Sequence, residues 1–79
     1  MSVDRKKIIA EFKKILAEIE DKKAKKYALK SFLNWYKTAD YFFKRIYAAR
    51  IITFVCAGIK DRKKRKEIAA KLRILLRGA

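Results

Sequence analysis

The stretch WYKTADYFF, residues 35–43, decides what kind of helical protein this is. Thr38-Ala39-Asp40 is the one place in the middle of the chain where a cap would start a new helix, since Thr and Asp side chains accept hydrogen bonds from free first-turn amides. The hydrophobic pattern argues the other way. At ~100° per residue, Ala28, Phe32, Trp35, Tyr36, Ala39, Phe42, Phe43 and Ile46 fall on one face. Lys23, Lys30, Lys37 and Lys44 recur every seven residues on the opposite face, with Lys26 beside them. This phase passes unbroken through 38–40. Periodicity therefore favours one continuous helix over 24–57, with a break near 38–40 as the alternative.

From Tyr47 onward the pattern changes. Arg50 lands on the formerly apolar face, while Ile51, Ile52 and Val55 take the side the lysines had used. A continuous 34-residue helix would be about 51 Å long at ~1.5 Å per residue. A compact domain of this size has a diameter of only about 30 Å. Such a helix would overhang a monomer, so the reading leads to self-association, with Ile51, Ile52, Phe54 and Val55 as the contact face.

The flanks are simpler. Proline is absent and the only glycines are Gly58 and Gly78. Helix is thus the default everywhere, and no strand pair with turn chemistry appears. The first helix spans about 3–22, with Ile8, Ile9, Phe12, Ile15, Leu16 and Ile19 as its apolar stripe. Lys7 with Glu11, Lys14 with Glu18, and Glu18 with Lys22 stand four apart and can pair along its wet side. Gly58 suits the left-handed position after a helix end, and Asp61 the cap of the next helix. That last helix spans about 62–77, with Ile68, Leu72, Leu75 and Leu76 as its core side. The fold class is all-α: three to four helices in one domain, residues 1–79, arranged as a helical bundle or a long-helix oligomer.

Composition excludes most chemistry. The 79 residues contain no histidine and one cysteine, Cys56, which leaves no intramolecular disulfide and no soft ligand set for zinc. Asp40, Asp61 and Glu67 stand alone among basic neighbours, so no acid/base pair converges and no enzymatic role or cofactor is expected. The most apolar stretch, 46–59, is too short for a membrane span and contains Arg50. The chain opens on a mixed-charge amphipathic pattern without the apolar core of a signal peptide. An intracellular setting (cytoplasmic, nucleoid or virion-associated) is the expectation.

Charge carries the functional reading. Lys and Arg number 23 against 8 Asp and Glu, a net +15, and all but +1 of it lies beyond residue 22. Self-repulsion at this density points to an anionic partner. The run RKKRK, residues 62–66, sits where a helix begins, and cations there oppose the helix macrodipole. A solvated shoulder would carry Asp or Glu instead. On the wheel, Arg62, Lys66, Arg73 and Arg77 form a ridge within about 60° of one another, while Lys63, Lys64 and Arg65 fan around the first turn. Arg forks and Lys point charges suit phosphate. The expected partner is nucleic acid, DNA or RNA, gripped through its backbone by these seven residues with help from Lys30, Lys37 and Lys44. A packaging, coat, architectural or ribonucleoprotein role follows. The alternatives are a membrane-active cationic protein of bacteriocin type, acting at a lipid surface, and an adaptor for an acidic protein.

Overall fold

Asp40 turns the chain back on itself. Its backbone is extended (φ −79°, ψ 119°), and its carboxylate accepts from the amides of Phe42 and Phe43 at 2.8 and 3.4 Å. Thr38, also extended, stops the preceding helix while its amide still donates to the Asn34 carbonyl at 3.1 Å. The continuous helix expected over 24–57 is therefore two. The computed structural model describes residues 5–77, with helices α1 (Arg5–Ala17), α2 (Lys22–Lys37), α3 (Tyr41–Ala57) and α4 (Arg62–Arg77). Its longest dimension is 34 Å, with a radius of gyration of 11.7 Å. Two shorter helices fit that span; a helix of about 51 Å does not.

The reversal removes the reason for the overhang. α2 and α3 pack as an antiparallel hairpin, with the ring of Tyr27, early in α2, against that of Phe54, late in α3 (centroids 5.4 Å apart). Capping α3 at Asp40 also resets the helical phase. Ile51 and Val55 then face inward and are fully buried, while Arg50 points to solvent. The face offered for self-association is thus partly consumed within the chain's own core. Ala39, Phe42 and Phe43, assigned to the apolar face of a continuous helix, are exposed instead.

α1 covers the other side of the hairpin. Phe12 stacks on Phe32 at 4.0 Å between centroids and 7° between planes, and Phe32 continues to Trp35 at 5.6 Å. α1 ends at Ala17, short of the expected residue 22, because Asp21 caps α2 by accepting from Lys23 and Ala24. Residues 3 and 4 of the expected first helix lie outside the described residues. The carboxylate pairs also differ from expectation. Glu11 meets Lys14 at 3.5 Å, and Glu18 reaches across to Lys64 of α4, so the turn at 18–21 redirects Glu18 away from its own helix. α4 closes the core with Ile68, Leu72 and Leu76 over its expected span.

At the opposite end from Asp40, the α1–α2 and α3–α4 connections meet. The Glu20 amide donates to the Gly58 carbonyl at 3.0 Å, with Ile19 and Ile59 buried beside it. Gly58 is not left-handed here: its φ is −93°. Glycine is required by approach instead. A Cβ at Gly58 would strike the Ile19 side chain and lie 2.9 Å from the Ala24 Cβ.

Three substitutions separate these contributions in equilibrium unfolding. Asp40→Ala removes the cap and is expected to cost about 1 kcal/mol. Gly58→Ala overpacks the loop junction and is expected to cost ~1–3 kcal/mol. Leu72→Ala empties a fully buried site and is expected to cost ~2–5 kcal/mol. A neutral Gly58→Ala would show that the two loops do not meet there.

Candidate nucleic-acid interface

The first turn of α4 carries Arg62, Lys63 and Lys64 with no acidic side chain among them, and Asp61 makes this tolerable. Its carboxylate accepts from the Lys63 and Lys64 amides at 3.0 and 3.4 Å, placing one negative charge at the helix's positive pole. The five-residue run then divides. Arg62, Lys63 and Lys66 are exposed. Lys64 is held by Glu18, whose hydrogen bond raises the ammonium's affinity for its proton. Arg65 is half-buried, and its Nε has no hydrogen-bond partner. Lys64 therefore ties α4 to the turn after α1 more than it faces a ligand.

Arg62, Lys66, Arg73 and Arg77 are all exposed along α4, as expected, and none has a carboxylate within ion-pair distance among the described residues. The last two border a groove of about 670 Å³ between α3 and the C-terminal half of α4. One wall is Tyr41, Arg45, Ala48, Ala49 and Ile52 of α3; the other is Arg73, Leu76 and Arg77 of α4. Trp35 and Lys44 complete the lining. Arg45 was not expected as a site residue. It and Tyr41 lie beyond the break at 38–40, and only the phase of a separate α3 brings them to this side.

Lys44 departs from its expected role. On a continuous helix it extends the lysine ridge of Lys30 and Lys37. In the hairpin it folds over Trp35, with Nζ 4.3 Å from the ring centroid and donating to the Trp35 carbonyl at 3.0 Å. Partial burial lowers its proton affinity, and the Arg5 guanidinium lowers it further. Lys44 thus seals the groove floor through cation–π contact and is not a free phosphate ligand. Lys30 and Lys37 remain exposed on α2, outside the groove lining.

Among the described residues no helix is long and apolar enough to cross a membrane, and no cluster of three His, Cys, Asp or Glu side chains converges as a metal site. No protein-family model, curated protein or solved structure matches the chain.

The Lys44 environment is directly measurable. Its Cε resonance should titrate below the ordinary lysine value of 10.5, and Arg5→Gln should return it part of the way. Because the unfolded chain binds the proton more tightly, Lys44's contribution to stability rises with pH between the folded and unfolded values. A Lys44 titration at or above 10.5 would show that burial and the Arg5 charge do not act on it as described.

Proposed function

We propose that the chain binds nucleic acid through phosphate contacts that position the protein without reading sequence. The observation that carries this is the uncompensated ridge of α4. The described carboxylates are largely committed elsewhere: Asp21, Asp40 and Asp61 cap helices, and Glu11 and Glu18 hold lysines. Arg62, Lys66, Arg73 and Arg77 are left on one side of a rigid, well-packed helix, repelling one another. Phosphate oxygens supply what the fold withholds. Architectural, packaging or ribonucleoprotein roles all use such contacts. The coat-like variant keeps only Ile52 and Phe54 of its contact face, because Ile51 and Val55 already lie in the monomer core.

One observation favours a second reading. Tyr41, Phe42 and Phe43 are 75%, 65% and 48% exposed at the tip of the α2–α3 hairpin, between Lys37 and Arg45. Aromatics flanked by cations also suit an anionic lipid surface. Trp35 is not available for such a surface unless the bundle opens, since it is buried under Lys44.

Salt dependence separates the ridge from general stickiness. Affinity for random-sequence nucleic acid should fall with salt at a logarithmic slope of roughly −0.9 per neutralised phosphate on duplex and about −0.7 on single strands. Replacing Arg62, Lys66, Arg73 and Arg77 together by Gln should flatten the slope by about three units and weaken all sequences alike. Phe42→Ser with Phe43→Ser should leave that slope intact. Loss of binding in the phenylalanine variant, with retention in the glutamine variant and on anionic vesicles, would replace this proposal by the lipid-surface reading.

A further inference from the structure

We infer that the groove between α3 and α4 takes an unpaired nucleotide, with its base against Tyr41 and the apolar floor and its phosphate on the arginine rim. This rests on the phosphate-binding proposal and goes beyond it by assigning a preference for single-stranded over duplex nucleic acid. The charge on the rim selects the partner's sign. Arg45, Arg73 and Arg77 border the groove, all exposed and without a carboxylate partner among the described residues. All three are arginines, whose planar forks match phosphate oxygens. The single lysine at the site is already occupied by Trp35.

The floor selects against a duplex. Half-buried Ala48 and Ile52, lying over the buried Leu76 and Trp35, offer apolar surface that a phosphate chain gains nothing by covering. A paired base keeps its faces inside the stack. An unpaired base has a free π-face, and Tyr41 stands at the groove mouth, three-quarters exposed, where a ring can lie on it. The groove's volume of about 670 Å³ suits a body of that size with solvent around it. Small Ala48 and Ala49 side chains on the α3 wall are what keep the space open.

The test uses fluorescence anisotropy at one fixed salt concentration. Its probes are a short labelled oligonucleotide, the same backbone with abasic sites throughout, and a duplex of equal phosphate count. The base-bearing single strand should bind about tenfold more tightly than the abasic strand, as expected for one base–aromatic contact. Tyr41→Ala should erase that tenfold difference and leave abasic binding unchanged, whereas Tyr41→Phe should retain it. Arg73→Gln with Arg77→Gln should weaken both strands together. Tyr41 is exposed, so its variants are expected to melt like the parent, which circular dichroism verifies. Equal affinity for abasic and base-bearing strands, or a Tyr41→Ala effect on both alike, overturns the base site while leaving phosphate binding standing. No affinity for any of the three probes, with Tyr41-dependent binding to anionic vesicles, overturns both and makes the hairpin tip a lipid contact.

Discussion

Asp21, Asp40 and Asp61 end the three connecting segments, and each accepts hydrogen bonds from the first free amides of the helix that follows. No helix has an acidic side chain in its first turn, so on α2, α3 and α4 these caps carry the favourable charge at the positive pole. A chain with net charge +15 has few places where a carboxylate is worth more. Each cap satisfies two amides, offsets part of the macrodipole, and fixes where a helix starts. Where the helices start fixes which faces meet. The core of Phe12, Phe32, Trp35, Ile51, Val55 and Leu72 follows from those three positions.

The surface follows from them too. Starting α3 at Tyr41 sends Ile51 and Val55 inward, places Arg45 on the flank shared with α4, and leaves Tyr41 to Phe43 at the hairpin tip. Shifting the start by one residue would rotate each of these by ~100°. The same turn delivers Lys44 onto Trp35, so one cation of the heptad-spaced series is diverted into structure. Carboxylates committed to caps cannot neutralise surface lysines and arginines. Fold and binding surface are in this sense one consequence of how few acidic residues there are and where they stand.

The last helix was legible, whereas the end of the first helix and the middle of the chain were not. The span of α4, its core side and its basic ridge follow from periodicity inside one helix, where the wheel is valid. Asp61 was legible because Gly58 and a change of pattern precede it. Asp40 was obscured because the apolar spacing of the sequence runs on through 38–40, and a helical wheel drawn across that spacing does not register the reversal that resets the phase. The break was nonetheless encoded downstream. Ile51 and Val55, with Arg50 out of phase, require a helix whose inner face contains Ala48 and excludes Phe42. That face cannot be the one carrying Phe32 and Trp35. Gly58 was legible as a special position but for the wrong reason, since sequence does not show Ile19 approaching from another loop. In the groove, Arg73 and Arg77 belong to the ridge read from the sequence, Lys44 turned out to be held on Trp35, and Arg45 required the corrected phase.

Salt acts on this molecule in two opposing ways. Screening shortens the reach of charge–charge repulsion to about 8 Å at physiological ionic strength, well inside a particle 34 Å long. Adding salt therefore stabilises the fold by damping repulsion among the ridge arginines, the α2 lysines and the hairpin cations. Salt also lowers the free energy of phosphate binding, because the counterions freed gain less entropy on release into a concentrated solution. A polyanion bound as proposed would do both jobs at once: it would occupy the folded surface and remove the repulsion that opposes folding. Stabilisation by a bound partner grows with its concentration relative to its dissociation constant, so at low salt, where the free protein is weakest, the complex is strongest. On the proposed phosphate binding, the cost of the α4 ridge falls on the unbound chain and is offset when the phosphates bind.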